Sequence, residues 1–167
     1  MTGWTTRGIV EGIGLLGVIG SLIFVGVEVR QNSVDTRASA NATVADSFRD
    51  LAVLMASSPQ LARAIVAAGD DPESIEPADQ VVLLSFFRAV FHSWSNVYRQ
   101  QVNGTLDPAI YESLIQELRA YAGTDGEHLR EEIARRGQGV RWAWESERYL
   151  FNEDFQYFID ETLGVQR

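Results

Sequence analysis

An unbroken run of uncharged, mostly apolar residues occupies positions 12–27, close to the start of the chain. As an α-helix those 16 residues are about 24 Å long, less than the roughly 30 Å of a bilayer's hydrocarbon core. The charged neighbours lengthen the span, because Arg7 and Glu11 are four residues apart and can pair on one helix face. Glu28 is close enough to the other end to reach the lipid headgroups. Residues 8–29 therefore form a candidate transmembrane helix.

The residues at the two ends of this span are those that favour a membrane–water interface. Trp4 precedes the span, and the amphipathic ring of tryptophan prefers the headgroup region. Arg7 lies at the same end, and Glu28 and Arg30 lie at the other end. The sequence therefore predicts that residues 1–30 form a retained membrane anchor, with these four side chains at the interface.

Two other interpretations of residues 12–27 are open. A cleaved signal peptide fits the small-residue triplet 38–40, but about ten mostly polar residues separate this triplet from the apolar run, and a cleavage site normally lies closer. A buried helix of a soluble core would carry six glycines within residues 8–26. Each would cost up to about 1 kcal/mol relative to alanine, whereas glycine is common in membrane helices. The retained anchor is the preferred interpretation.

The arginines predict the orientation of the protein in the membrane and the kind of genome that encodes it. Arg7 is the only side-chain cation before the span, whereas Arg30, Arg37 and Arg49 follow it. Under the positive-inside rule this excess predicts a cytoplasmic C-terminal domain. All 14 basic residues are arginine, which is typical of a GC-rich bacterial genome. We therefore expect a single-pass protein of the bacterial inner (cytoplasmic) membrane.

Small residues recur at helical spacing within the apolar run. Gly14, Gly17 and Ser21 are three and four residues apart, so they share one face of a helix. In lipid such a face lets two helices approach closely. The pattern favours membrane-helix packing against integral membrane protein subunits, although a helix that is glycine-rich without function would show the same pattern.

The charge and the residue types of the chain exclude several classes of function. A net charge of −9 disfavours nucleic acid as a partner, because phosphate contacts need clustered cations. The chain has no cysteine and no lysine, which excludes thiolate metal sites, thiol catalysis, Schiff-base chemistry and P-loop phosphate binding. Neither His92 nor His128 belongs to a Glu-x-x-His pair of a di-iron bundle. We expect no catalytic residue, no metal site and no cofactor.

Beyond the anchor, residues 31–167 have the pattern of an acidic, all-α helical bundle. The segment 27–58 has no glycine or proline, so the anchor either continues as one long helix or bends near Asn32. Polar residues at the start of later segments are predicted helix N-caps. They are Ser58, Asp107 and Asn152.

The helix predicted over residues 78–101 has the clearest periodicity, with large apolar side chains on one face and polar side chains on the other. The apolar set is Leu84, Phe87, Phe91, Trp94 and Tyr98. The polar set is Ser85, Arg88, His92, Ser95 and Arg99. A second apolar face comprises Val44, Phe48, Leu51 and Met55. A polar helix that begins near residue 125 is expected to loosen at Gly137 and Gly139.

Aromatic residues are concentrated near the end of the chain, where seven of the 17 residues over 142–158 are aromatic. Two interpretations are open. The cluster closes the core of the bundle, which is preferred because a domain of this size must bury its large side chains, or it forms a surface for a partner. The candidate partner surface is Trp142, Trp144, Tyr149 and Phe151.

Several stretches together resemble a group of uncharacterised bacterial proteins with a single anchor and a helical domain. The stretches are "GLLGVIGSLIFVGVEVRQN", "MASSPQLARAI", "FRAVFHSWSNVYRQQVNGTLD" and the closing Trp-rich segment. The resemblance covers nearly the whole chain and rests on hydrophobic patterns. It implies an N-terminal anchor in the lipid bilayer and a compact helical domain, and it supplies no activity, cofactor or catalytic residue.

By elimination, the sequence favours a non-catalytic, membrane-anchored accessory or scaffolding subunit of a larger membrane assembly, such as a bioenergetic complex. The glycine face of the anchor, the acidic helical domain and the aromatic C-terminal segment all suit that role. One alternative is a membrane-tethered sensor or regulatory module that binds a small ligand inside its bundle. A second alternative is an enzyme without a recognisable motif.

Overall fold

The computed structural model describes residues 6–123 and 131–165, without the side chains of 6–10, 12, 131–134 and 136. The described chain is helical and has no strand, so the predicted all-α fold, a long apolar N-terminal helix followed by a helical bundle, is confirmed. Six α-helices form it, with short 3₁₀ turns at Pro72–Ser74 and Arg148–Leu150. They are α1 (Thr6–Ser57), α2 (Pro59–Asp70), α3 (Pro77–Val102), α4 (Pro108–Ala122), α5 (Glu131–Glu147) and α6 (Glu153–Leu163).

The chain divides into two compact units, Met1–Ser39 and Ala40–Arg167. The described part of the first unit belongs to α1, which continues as one helix to Ser57. All described side chains over 13–39 are exposed. Among the described residues, α1 is the helix that is long and apolar enough to cross a membrane, by length and composition, with a mean hydropathy of 1.9 over 18 residues.

Three helices of the second unit begin at the predicted capping residues. Ser58 Oγ accepts a hydrogen bond from the backbone N–H of Leu61 at 3.2 Å. Asp107 and Asn152 accept similar bonds at 2.8 and 2.9 Å from the first turns of α4 and α6. Each cap satisfies a backbone donor that the helix itself leaves unpaired, so these helix starts are encoded locally.

Helix α3 supplies the centre of the core. Phe87, Phe91 and Trp94 are buried as predicted, while Leu84 and Tyr98 are only partly buried. Leu83 and Val97 are also fully buried, so the buried face is wider than these five residues. On the opposite face Ser85, Arg88, His92 and Arg99 are exposed and Ser95 is partly buried.

Helix α5 does not loosen at its two glycines, contrary to the expectation. It continues through Gly137 and Gly139, both of which are buried. A Cβ atom at position 137 would overlap the backbone carbonyl of Ala122, and one at position 139 would lie 2.9 Å from the Cβ of Ala68. The glycines are therefore the points where the backbone of α5 lies close to the end of α4 and to Ala68 of α2.

Two ion pairs join α5 and the turn that follows it to other helices. The buried carboxylate of Glu147 accepts hydrogen bonds from Arg88 Nε at 2.6 Å and from Arg88 Nη2 at 2.9 Å. This hydrogen bonding and the negative charge of Glu147 raise the pKa of Arg88 above its ordinary value. The buried carboxylate of Asp160 accepts from Arg148 Nη2 at 2.8 Å and from the indole N–H of Trp144 at 2.9 Å. Both pairs are bidentate, which is the strongest arrangement for arginine and a carboxylate.

Candidate functional site

An apolar groove lies in the second unit, between the C-terminal part of α1 and helices α2 to α5. Its volume is about 430 Å³. The lining is almost entirely aliphatic and aromatic, and the residues are Phe48, Leu51, Ala52, Met55, Ala56, Ala62, Ile65, Val66, Phe86, Phe87, Val90, Phe91, Trp94, Glu117, Leu118, Tyr121 and Val140.

The residue sizes along the groove explain why it stays open. Its floor consists of buried core side chains, among them Phe91, Trp94 and Leu118. Phe48 of α1 contacts Trp94 edge to face, with ring centroids 5.2 Å apart. Further along α1 and at the start of α2, the lining residues include alanines, which are too short to fill the space between the helices. They are Ala52, Ala56 and Ala62.

Two polar side chains of α4 line the groove on its solvent side. Glu117 and Tyr121 are four residues apart and share one helix face, and both are exposed. Among the described residues, Glu117 is the only charged side chain that lines the groove, and no ion pair neutralises it there. The groove can therefore bind an apolar body and interact with one polar group through a carboxylate and a phenol.

The described part of the chain shows no cluster of titratable groups that would form a metal site. Within the described ranges, no three His, Cys, Asp or Glu residues are placed to hold a metal ion. His92 is exposed, and its ring contacts the ring of Phe151 at a centroid distance of 4.9 Å. His128 lies outside the described residues.

The predicted membrane-packing face is exposed in the first unit. The space beside Gly14 and Gly17 is open, since a Cβ at either position would meet no atom within 4 Å. The Ser21 hydroxyl donates to the carbonyl of Gly17 at 2.8 Å, which satisfies this donor within the helix.

The predicted interface residues are placed only in part. Glu28 and Arg30 are exposed side chains of α1. Trp4 lies outside the described residues, and so does the side chain of Arg7.

The candidate aromatic partner surface is wrong for two of its four residues. Trp144 is completely buried, packed against the rings of Phe91 and Phe155, and Phe151 is 9% exposed. Trp142 is partly buried against the same core, and only Tyr149 is well exposed, at 76%. The core needs these large side chains because the indole of Trp144 fills its centre and reaches the buried Asp160. Core closure, the preferred interpretation, is what the structure has.

The sequence predicts two apolar helix faces that supply part of the groove lining, but it does not predict the groove itself. The spacing of apolar residues predicts both faces, 48–55 and 87–94, as the inward faces of helices. The one available signal was the group of alanines beside larger apolar residues on α1 and α2. A periodic pattern indicates which face of a helix is apolar, but it does not give the width of the gap that this face borders.

Comparison with known proteins identifies no relative for this chain. No protein-family model matches the sequence, no curated protein is significantly similar to it, and no solved structure matches its fold.

Proposed function

We propose that this chain is a membrane-tethered, non-catalytic binding module whose helical domain holds a small apolar molecule. The observation that carries the proposal is the groove between α1 and the bundle. At about 430 Å³ it falls within the roughly 300–1,000 Å³ of small-molecule sites in proteins, and it shares their mostly apolar lining with a few polar groups.

The chemistry of the lining favours an apolar ligand over water. An ordered water in a protein needs about two to four polar partners. Here the exposed polar side chains of the described lining are Glu117 and Tyr121, and the only other side-chain nitrogen or oxygen is the indole nitrogen of the buried Trp94. An apolar ligand would cover the exposed and partly exposed part of the lining, such as Val66, Phe86 and Val90, at a gain of roughly 25 cal/mol per Å² of apolar surface buried.

The groove-binding proposal is tested with single introduced thiols, since the chain has no cysteine of its own. In full-length protein in lipid nanodiscs, the Ala62→Cys variant places a thiol on the groove lining, and the Ala67→Cys variant places one on an exposed position of α2 outside it. Dodecan-1-ol at about ten times its Kd is expected to slow maleimide labelling of the first variant about tenfold, because only the unoccupied fraction reacts. Labelling of the second variant stays unchanged. Equal rates with and without the alcohol at both positions would contradict the proposal.

The membrane tether is supported by α1, whose apolar N-terminal part exposes all of its described side chains over 13–39. We propose that residues 1–30 are retained as an anchor in the bacterial inner membrane. The full-length protein is then expected to stay in the membrane pellet after a carbonate wash. A mature N-terminus at Asn41 would contradict the anchor.

The domain is proposed to be cytoplasmic, and a C-terminal reporter active only in the periplasm would contradict that orientation.

A second candidate function is an accessory subunit of a membrane assembly. The open space beside Gly14 and Gly17 supports it, because a helix of an integral membrane partner could approach α1 closely there. Stoichiometric integral membrane subunits in a mild-detergent extract would favour this function, and a bound apolar molecule in the isolated chain would favour the first.

A further inference from the structure

We propose that the groove selects an amphiphile whose polar end is a cation or a hydrogen-bond donor, and that it discriminates against carboxylates such as fatty-acid anions. This inference rests on the proposed function and names the class of ligand for the same site. It comes from the distribution of charge around the groove.

The polar end of a bound ligand is expected at the solvent side of the groove, because Glu117 and Tyr121 are exposed there, whereas the only nitrogen or oxygen of the described floor side chains is the indole nitrogen of the buried Trp94. The buried lining residues there are carbon surfaces, including Phe87, Phe91 and Val140. Burying an unpaired polar group against such a surface is unfavourable, whereas burying an alkyl chain there is favourable. An amphiphile therefore binds with its apolar end inward and its polar group beside Glu117 and Tyr121.

The charge at that end is negative. Glu117 is an exposed carboxylate, and no arginine lines the groove among the residues that the structure describes. The chain as a whole carries a net charge of −9, so its long-range field has the same sign. A ligand carboxylate would be repelled by Glu117, while an ammonium would be attracted. A hydroxyl could donate a hydrogen bond to Glu117 or to the Tyr121 oxygen.

A matched series of ligands tests this inference with the same thiol in the groove. Dodecyltrimethylammonium, dodecan-1-ol and dodecanoate share one alkyl length and differ in the charge of the polar end. Each is titrated at pH 8 against the Ala62→Cys protein in nanodiscs, and protection from maleimide gives an apparent Kd. Because the three partition differently into lipid, each ligand is compared between protein variants rather than with the other ligands.

The decisive comparison removes the charge of Glu117. The Glu117→Gln substitution, in the Ala62→Cys background, is expected to weaken the cation about fivefold and to strengthen dodecanoate by a similar factor, as expected for one charge pair near a protein surface. Binding of the alcohol stays within about twofold, since glutamine still accepts a hydrogen bond. The control is Glu112→Gln, which removes an exposed carboxylate of α4 that does not line the groove. It is expected to leave all three values unchanged.

The outcomes separate this inference from the function on which it rests. If dodecanoate protects the thiol and Glu117→Gln leaves both charged ligands unchanged, the charge selection is wrong and apolar binding stands. If none of the three ligands protects the thiol, the groove-binding function itself is wrong. If the thiol is protected without ligand and becomes reactive on dilution, a second copy of the chain occupies the groove, and the small-ligand inference is overturned.

Discussion

Replacing Phe91 by alanine is expected to lower the free energy of unfolding of the helical domain by about 3–5 kcal/mol. The Phe91 ring is completely buried and lies 5.0 Å from the Trp144 ring and 6.3 Å from the Phe151 ring, centroid to centroid. Removing it loses the apolar burial of the ring and leaves a cavity that these rigid neighbours fill poorly. The loss is a large part of the roughly 5–15 kcal/mol expected for a domain, so the thermal melting temperature of the detergent-solubilised protein should fall markedly.

The adjacent residue provides the control for Phe91. His92→Ala should change the free energy of unfolding by no more than about 0.5 kcal/mol, because the side chain is exposed. The imidazole does contact the Phe151 ring, but on the outer side of α3. A loss at His92 equal to that at Phe91 would show that the buried face of α3 has been assigned incorrectly, and a ligand role for this histidine would then have to be considered.

The second large effect is expected at Arg148, whose guanidinium pairs with Asp160. The Arg148→Met variant keeps an unbranched stem but removes the guanidinium that pairs with the carboxylate of Asp160, which is only 4% exposed. Removing one partner of a buried ion pair typically costs about 3–5 kcal/mol, and we expect the lower end because Arg148 is itself partly exposed. Urea unfolding of the full chain in detergent measures this cost.

Two further variants define the source of the Arg148 effect. Adding Asp160→Asn to Arg148→Met removes the carboxylate charge that had paired with Arg148 and retains an oxygen for the indole N–H of Trp144, so it should recover at least half of the lost stability. Arg49→Met removes a cation whose ion pairs with Asp46 and Asp50 are exposed, and it should cost less than about 1 kcal/mol. If Arg49→Met and Arg148→Met lower the free energy of unfolding by the same amount, burial does not control the strength of these ion pairs.

The features that could be predicted from the sequence are those that depend on near neighbours in the chain. A serine three residues before an available backbone N–H is sufficient to predict the start of α2. Apolar residues at spacings of three and four are sufficient to predict that Phe87, Phe91 and Trp94 face inward. These interactions operate within one or two helical turns, so a single sequence contains the necessary information.

The features that could not be predicted depend on which helices are neighbours in space. Arg88 and Glu147 are 59 residues apart, and nothing in either segment marks them as partners. The groove likewise requires α1, α3 and α4 to leave a gap, which no single helix encodes. In the aromatic segment, burial could not be predicted even for residues that are close together in the sequence. Tyr149 and Phe151 are two residues apart, and the 3₁₀ turn between α5 and α6 exposes the first and buries the second.

The close approach of α5 to its neighbours at Gly137 and Gly139 implies a way to recognise proteins that share this fold. Positions that line a core or a groove accept several apolar residues of similar volume, so they diverge quickly and leave little for a sequence search to detect. The two glycines leave no space for a side chain, and they lie on the same helix as Trp144 and Glu147, whose side chains bond to α6 and α3. A protein with this fold should therefore be easier to recognise by the spacing Gly-x-Gly-x4-Trp-x2-Glu within a helix than by its overall hydrophobic pattern.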